Sequence, residues 1–371
     1  MTIASPDFGK LFDGERFDAP PIFVDDYVAH FSDYAGRDTI QPIFLGGDAM
    51  AVLRVLPSDS IDCCMTSPPY WNKREYESGG IGREADFQEF IEKLLQITRE
   101  IGRVLKPTGS FWLNLGDSYQ QKRLLGIPWR TAIRMCDQQG WILRNEVIWN
   151  KIKGAPDNSS DKLRNIHEPI FHFVRSSSYY FDSDAIRSTP KKAKIVNGSV
   201  VSATGVSGVR YRRQIELSTD LSDEEKSRAM GELKKLLGDV EHGKLADFRM
   251  VIRRQQRATH SNSESLSGRA KELRDCGFYF LKYHPGGSKP SDVWDVIPED
   301  THNRTDHFAP YPADLCRIPL AATCPHGGVV LDPFCGTGTT NIVAYELGRK
   351  SVGIDISVEY LRNAYRRCNS I

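Results

Sequence analysis

A short polar and aromatic segment, residues 66–71 (Thr-Ser-Pro-Pro-Tyr-Trp), contains the side chains best suited to chemistry. It follows the apolar run 61–65, which predicts a buried strand that ends at the prolines. Proline fixes φ and has no N–H to donate, so the loop is stiff and its carbonyl groups act as acceptors beside an aromatic ring. A planar group carrying an NH2 fits such a loop, because two acceptors take its hydrogens while the ring stacks on its face. The segment therefore predicts a site for a nucleobase amino group.

A glycine-containing segment near the end of the chain predicts a second ligand site. Residues 329–340 (Val-Val-Leu-Asp-Pro-Phe-Cys-Gly-Thr-Gly-Thr-Thr) have the pattern of a strand, a tight turn and a helix start. Asp355 follows 19 residues after Gly336, where a doubly wound fold places the carboxylate that binds ribose hydroxyls. The third glycine of a dinucleotide fingerprint and the basic residue of a P-loop are missing. The segment favours a nucleoside without phosphates, with S-adenosylmethionine as the obvious candidate, although a lone Gly-x-Gly is also compatible with a plain strand-to-helix turn.

The elements around these two segments predict an α/β fold with a Rossmann-like sheet. Strands are predicted at 42–45, 61–65, 110–115, 143–149, 169–174, 329–332 and 351–354. Helices are predicted at about 87–105, 127–139, 313–322, 339–348 and 357–367. The region between the two halves is basic and then highly charged, and we expect it to be partly helical or flexible. We therefore predict an N-terminal extension (1–38), two halves of one α/β domain (39–187 and 305–371) and an insert between them (188–304).

The composition excludes several classes of protein. The 371 residues include 49 basic and 48 acidic side chains, but 18 basic and 12 acidic ones lie between Ser188 and Gly277, which weakly indicates a nucleic-acid surface. The eight cysteines form no Cys-x-x-Cys pair and the histidines have no metal-ligand spacing, which argues for reduced thiols without a bound metal. No apolar run approaches the roughly 18 residues of a membrane span, and the first residues lack the pattern of a signal peptide. These features predict a cytoplasmic protein.

The two segments together resemble those of a known family. Ser67-Pro68-Pro69-Tyr70 matches the catalytic motif, (Ser/Asp/Asn)-Pro-Pro-(Tyr/Phe), of DNA amino-methyltransferases. The segment from Asp332 to Gly338 matches their cofactor motif, and residues 308–312 resemble the segment that contacts the methionine part of the cofactor. Because the catalytic motif comes first, the order resembles the β class, whose target-recognition region lies between the two motifs. The resemblance covers residues 41–187 and 305–368.

The resemblance implies S-adenosylmethionine as cofactor, double-stranded DNA as substrate and a role for each matched residue. The target nucleotide would be flipped out of the duplex, Ser67 and the Pro68 carbonyl would accept hydrogen bonds from its amino group, and Tyr70 would stack on the base. Further residues expected in the base pocket are Trp71, Asn114 and Asp117. The residues expected at the cofactor are Asp48, Thr66, Phe308, Pro310, Tyr311, Pro312, Asp332, Pro333, Phe334, Cys335, Gly336, Gly338, Thr339, Thr340 and Asp355. A helix N-cap is the alternative for Asp48, and a solvated turn is the alternative for Asp117.

Basic residues of the insert, together with one lysine at the end of a predicted strand, are the expected DNA contacts. They would meet phosphates, and one tyrosine among them would stack or donate to a phosphate. These candidates are Lys151, Lys191, Lys192, Tyr211, Arg212, Arg213, Arg253 and Arg254. Each one alone is compatible with an ordinary surface charge, whereas the cluster favours DNA.

The sequence leaves the target base open. A serine at the first motif position favours the N4 of cytosine, while aspartate is more usual in enzymes that act on the N6 of adenine. No Pro-Cys dipeptide is present to supply the nucleophile of C5-cytosine methylation. A protein or RNA amino-methyltransferase and a DNA-binding regulator with a degenerate cofactor site are further alternatives, against which the motif order, the insert and the intact motifs argue. The family also implies a prokaryotic or phage source, a possible partner restriction endonuclease and a possible homodimer.

Overall fold

The computed structural model describes residues 27–73, 80–153, 159–188, 194–196, 199–201, 208–254, 268–298 and 311–369. The chain divides into two compact units, the first formed by residues 1–185 and 291–371 and the second by residues 186–290. The second unit ends well before residue 304, the expected end of the insert. The reason is a short strand at Val293–Asp295, which pairs with the sheet of the first unit.

Strands and helices alternate through most of the described chain. The strands are β1 (Ile43–Gly46), β2 (Ile61–Thr66), β3 (Leu105–Asn114), β4 (Tyr119–Gln120), β5 (Arg123–Leu124), β6 (Ile142–Asn150), β7 (His167–Val174), β8 (Lys194–Val196), β9 (Ser199–Val201), β10 (Asp247–Ile252), β11 (Phe278–Tyr283), β12 (Val293–Asp295), β13 (Val329–Asp332) and β14 (Lys350–Asp355). The helices are α1 (Tyr27–Gly36), α2 (Ala49–Val55), α3 (Phe87–Val104), α4 (Ile127–Gln139), α5 (Gly208–Glu216), α6 (Asp223–Glu241), α7 (Gly268–Cys276), α8 (Ala313–Thr323), α9 (Thr339–Glu346) and α10 (Val358–Asn369). None of these helices combines the length and apolar composition needed to cross a membrane.

An eight-stranded sheet forms the centre of the first unit, in the order β1-β14-β13-β2-β3-β7-β6-β12. Neighbouring strands are parallel except β7, which runs antiparallel to both β3 and β6. Parallel strands bring their carboxyl ends to one edge, where an open α/β sheet binds its ligands. Because β7 is reversed, its first residues reach this same edge. The sheet is mostly parallel and contains strands from both the N-terminal and the C-terminal part of the chain. This architecture confirms the predicted fold class.

Two apolar cores cover the two faces of the sheet. Adjacent residues of β2 point to opposite faces, so Cys64 belongs to the core shared with α1–α4 and Cys63 to the core shared with α8 and α9. Helix α3 shows the sequence basis of this packing. Its apolar residues recur every three or four positions and are buried, while Asp86 caps its N-terminus by accepting from Gln88 N. All eight cysteines are free thiols.

The second unit has an apolar core of its own. Strands β10 and β11 pair in antiparallel fashion, and α5 and α6 pack against them through side chains that include Tyr211, Ile215, Leu233 and Phe248. A capping box at Ser222 and Glu225 starts α6, with each side chain bonded to the other residue's backbone N–H. The described part of the insert is therefore a folded α/β unit, which the sequence did not predict.

Candidate active site

The loop after β2 and the end of β3 form the first part of the candidate site. Since β2 and β3 are parallel neighbours in the sheet, Ser67 and Asn114 meet at its ligand-binding edge. Ser67 Oγ donates to Asn114 Oδ1 at 3.1 Å and lies 3.3 Å from Tyr70 Oη. Asn114 is buried, whereas Ser67 and Tyr70 are half-buried. The structure thus brings together three of the side chains that the sequence predicted for the base site.

Tyr70 is held by contacts on its ring and its hydroxyl. Its hydroxyl donates to Glu168 Oε2 at 2.8 Å and lies 3.1 Å from Asn114 Oδ1. Gly116 lies against the ring so closely that a Cβ there would be 2.3 Å from Tyr70 Cε2. Asn72 N donates to Gly82 O at 2.9 Å and ties the end of residues 66–71, the catalytic loop, to the segment around Gly82. The ring orientation is therefore fixed by neighbours as well as by the two prolines.

Glu168 is a site residue that the sequence analysis missed. It is the second residue of β7 and lies opposite Trp149 of β6. Lys151 forms an ion pair with Glu168 Oε1, and its ammonium group lies 4.6 Å from the centre of the Trp149 ring. Lys151 was expected to contact DNA, but in the structure it is bound to a carboxylate at the catalytic edge. The reversed direction of β7, which the sequence does not reveal, hid Glu168.

Two residues predicted for the base pocket stabilise the fold in the structure instead. The Trp71 side chain is buried in the core against Phe87, and its indole N–H donates to Glu84 O at 3.0 Å. Asp117 accepts from the backbone N–H groups of Ser118, Gly126 and Ile127, and so it fastens the loop after β3 to the start of α4. Neither side chain is presented to a ligand as predicted, since residue type alone does not tell which way a side chain points.

A buried carboxylate lies at the centre of the cofactor motif. Asp332, at the end of β13, accepts from Thr66 Oγ1 at 2.6 Å, from Thr340 Oγ1 at 2.6 Å and from Tyr311 Oη at 3.1 Å. The backbone N–H of Phe334 also donates to it. Burial raises the pKa of Asp332, and the hydrogen bonds it accepts act in the opposite direction. These side chains, expected at the cofactor, bind one another and form a framework under the turn.

The glycine turn and Asp355 form the second part of the cofactor motif. Gly336 and Gly338 adopt positive φ angles of 51° and 76°, which glycine adopts without strain. Gly336 N donates to Asp355 Oδ2 at 2.9 Å, and Ser357 N donates to Oδ1 at 2.8 Å. Burial raises the pKa of Asp355 to about 6. Phe334 and Gly336 are half-exposed beside this carboxylate.

The other residues predicted at the cofactor divide into three groups. Cys335 is buried against α10, and Pro312 and Pro333 are buried as well. Thr339, at the start of α9, is buried close to Arg367, 3.5 Å from its guanidinium. Asp48 is exposed and caps α2 by accepting from Ala51 N, which matches the alternative given for it. Phe308 and Pro310 lie outside the described residues.

The residues predicted to contact DNA lie in several different environments. Arg212 and Arg213 are exposed on α5. Tyr211, the residue before them, is buried in the core of the second unit and packs on Phe248. Its ring is therefore not available to stack on DNA, and the stacking role predicted for it is wrong. Arg253 is ion-paired with Glu225. Arg254 is exposed and lies 3.5 Å from Asp220. Lys191 and Lys192 lie outside the described residues.

The catalytic loop and the cofactor motif come from adjacent strands. Strand β13 pairs with β2 through Leu331 and Cys64, so residues 66–71 and 332–338 leave the sheet side by side. The hydrogen bond between Thr66 and Asp332 joins their bases. A ligand on the glycine turn and a base stacked on Tyr70 would therefore be neighbours at this edge.

Comparison with known proteins gives one family. The sequence model of a DNA methylase family, the N6/N4 methyltransferases, matches residues 61–366. The Type II methyltransferase M.SfiI of Streptomyces fimbriatus is 29% identical over 373 residues, covering 85% of this chain and 88% of that protein. The Type II methyltransferase M.SmaI of Serratia marcescens is 27% identical over 351 residues, covering 86% of this chain and 88% of that protein. The PvuII DNA methyltransferase, described as cytosine-N4-specific, has a similar fold, with a TM-score of 0.50 and 16% identity over 90% of this chain and 94% of that one.

Proposed function

The chain belongs to the DNA methylase family, and from this membership we propose that it transfers the methyl group of S-adenosylmethionine to the exocyclic N4 of a cytosine flipped out of double-stranded DNA. Adenine N6 is the alternative acceptor, for which the same loop geometry would serve. The serine at position 67 is the residue that favours cytosine, by resemblance to other members of the family.

The observation that carries the proposal is the hydrogen-bond arrangement around Ser67. Its hydrogen is donated to Asn114 Oδ1 at 3.1 Å, so the lone pairs of Oγ are available to accept from an amino group. With the Pro68 carbonyl as a second acceptor, both N–H groups of a base are bound and the nitrogen lone pair is directed away from them. The ring of Tyr70, fixed by Gly116 and Glu168, supplies the stacking face.

The turn after β13 suits a nucleoside with a positive charge and no phosphate. The Asp355 carboxylate, in contact with Gly336 N and Ser357 N, keeps further acceptor capacity for ribose hydroxyls. The half-exposed Phe334 supplies an apolar surface beside it. S-adenosylmethionine supplies a methyl group that is already activated by its cationic sulfur.

The protein's own part in the reaction is then to bind and orient. Ser67 and the Pro68 carbonyl hold the amino nitrogen at the edge of β2, next to the turn that would hold the methyl donor on β13. Placing the two reactants in line supplies most of the acceleration, and no covalent bond to the enzyme is needed. The second unit, residues 186–290, carries the exposed Arg212 and Arg213 and is proposed as the target-recognition region.

The biological setting is a further part of the proposal. The names of the similar Type II methyltransferases support a role in a restriction-modification system with a partner endonuclease. A homodimer is proposed from the family alone.

Nucleoside analysis tests the proposal directly. Duplex DNA is incubated with the purified protein and S-adenosylmethionine carrying a labelled methyl group. The DNA is then digested to nucleosides, which are identified by mass spectrometry. We expect labelled N4-methylcytosine with wild type and none with Ser67→Ala, while Ser60→Ala, a serine at the opposite end of β2, serves as the matched control and remains active. Label found only as N6-methyladenine would contradict the choice of cytosine, and label found on protein or RNA but not on DNA would contradict the proposal as a whole.

A further inference from the structure

Glu168 and Lys151 form an ion pair that contacts Tyr70 of the catalytic loop. The Glu168 side chain is 15% exposed and that of Lys151 is 26% exposed. Glu168 Oε1 is bound by Lys151, while Oε2 accepts from Tyr70 Oη at 2.8 Å and lies 3.4 Å from Asn114 Nδ2. One carboxylate therefore contacts the partners of Ser67 without contacting Ser67 itself.

The charges of this cluster fix the direction of its hydrogen bonds. An ionised carboxylate only accepts hydrogen bonds, and an ammonium group only donates them. The Asn114 amide nitrogen faces two acceptors, Glu168 Oε2 and the carbonyl of Pro169 at 3.3 Å. Turning the amide over would set its oxygen against both of them, so Oδ1 is directed toward Ser67.

The single hydrogen of the Tyr70 hydroxyl is directed in the same way. The hydroxyl oxygen, Tyr70 Oη, lies 2.8 Å from the Glu168 carboxylate, 3.1 Å from Asn114 Oδ1 and 3.3 Å from Ser67 Oγ. The bond to the carboxylate is the shortest of these and is charge-assisted, so it is preferred. Without the negative charge, this hydrogen would be able to turn toward Asn114 Oδ1, where it competes with the hydrogen of Ser67, or toward Ser67 itself, where it occupies a lone pair.

We propose that Glu168, held in place by Lys151, is a positioning residue that makes Ser67 a hydrogen-bond acceptor for the amino group of the target base. It acts by taking the hydrogen of Tyr70 and by orienting the amide of Asn114, which in turn takes the hydrogen of Ser67. This inference rests on the proposed function, and it holds for cytosine and adenine alike because both present an amino group. It also assigns Lys151 to the catalytic edge and not to a DNA phosphate.

The test replaces the carboxylate by an amide of nearly the same shape. In Glu168→Gln the amide can donate, which allows the Tyr70 hydrogen to turn toward Ser67. We expect the single-turnover rate of methyl transfer to DNA to fall by about 100-fold, the magnitude typical of one preorganised polar group. The Kd for S-adenosylmethionine and the thermal midpoint should stay at the wild-type values. Glu146→Gln, on the neighbouring strand β6, is the matched control and should leave the rate unchanged.

A double-mutant cycle separates positioning from a structural role. In Tyr70→Phe no hydroxyl hydrogen remains to be directed, so adding Glu168→Gln should slow that variant much less than it slows wild type. Equal slowing in both backgrounds would contradict the proposed route through Tyr70, and a wild-type rate in Glu168→Gln would overturn the inference altogether. If wild type transfers no methyl group to DNA, the proposed function fails first; if wild type is active, only the role of Glu168 is at stake.

Discussion

The hydroxyl of Thr66 donates a 2.6 Å hydrogen bond to the carboxylate of Asp332, which lies 266 positions further along the chain. Thr66 ends the strand that precedes the catalytic loop, and Asp332 ends the strand that precedes the glycine turn. The bond therefore connects two segments that the order of the sequence keeps far apart. Both groups are buried, so the bond is protected from competition by water.

The Asp332 framework should contribute to the stability of the first unit as a group. Asp332→Ala would leave the hydroxyls of Thr66, Tyr311 and Thr340 without their acceptor, and we expect the free energy of unfolding to fall by about 3 kcal/mol or more. Thr66→Val, which removes one donor, should cost about 1–2 kcal/mol in wild type and almost nothing in Asp332→Ala. Denaturant titration measures both values. Asp33→Ala, at an exposed ion pair with Arg37, is the control, and an equal loss there would contradict a special role for the framework.

Gly116 should be needed for the position of the Tyr70 ring. A Cβ at residue 116 would lie 2.3 Å from Tyr70 Cε2, so the ring has to move in Gly116→Ala. Displacement of about 1 Å at a reacting group costs about 100-fold in rate, and we expect that loss in methyl transfer with little change in the Kd for S-adenosylmethionine. Gly231→Ala is the matched control, because nothing lies within 4 Å of a Cβ there. That change, inside α6, should instead raise the unfolding free energy by about 0.5–1 kcal/mol. Full activity of Gly116→Ala would show that the ring position is not limiting.

Much of the sheet was predictable from the sequence because its strands are short apolar runs followed by polar turns. The predicted bounds of β13 and α4 agree with the structure, and those of β1, β2, β6, β7 and β14 differ from it by one or two residues at one end or both. Helix α1 was missed, since its first turn has no acidic residue and its last turn has no basic residue, although Phe31 and Tyr34 are buried. Strand β12 was missed because three residues carry too little periodicity to predict a strand.

The position of a site residue was predictable where it depends on the course of the backbone, and not where it depends on the direction of a side chain. Ser67, Tyr70 and Asn114 lie at or just after the carboxyl ends of parallel strands, and the rule for such sheets brings them together. Glu168 escapes the rule, since it lies near the start of a strand that runs the other way. Trp71 and Tyr211 were placed at ligands for their aromatic rings, yet both rings are buried in apolar cores. An aromatic residue next to a motif is as suitable for a core as for a binding surface.

The exposed arginines of α5 should account for part of the affinity for DNA. Each phosphate contact adds about one to the magnitude of the slope of log K against log salt, so Arg212→Ala with Arg213→Ala should reduce that magnitude by about two. Fluorescence anisotropy with duplex DNA between about 50 and 200 mM salt measures this slope. Arg253→Ala is the contrasting variant. Because Arg253 is paired with Glu225, we expect a loss of stability there with an unchanged slope. An unchanged slope in the double variant would exclude these two arginines as phosphate contacts.

The raised pKa of Asp355 predicts opposite effects of pH on stability and on cofactor binding. The pKa of about 6 in the folded protein lies above the ordinary value of 3.8, because burial disfavours the charged form. The contribution of this carboxyl to the unfolding free energy is therefore largest below its ordinary pKa and is lost as the pH rises through about 6. Asp355→Asn should remove this part of the pH dependence.

Binding of a cationic nucleoside should show the reverse dependence, because it needs the ionised carboxylate. As the pH falls below about 6, the Kd for S-adenosylmethionine should rise by up to about tenfold per pH unit. Calorimetry between about pH 5 and pH 8 measures this rise. Asp355→Asn should bind weakly throughout, with a Kd that is nearly independent of pH. Asp314 has a side chain that is 75% exposed, and Asp314→Asn should follow wild type. If the wild-type Kd stays constant across this range while the unfolding free energy changes, Asp355 titrates but does not bind the cofactor, and the ribose-binding role proposed for it is wrong.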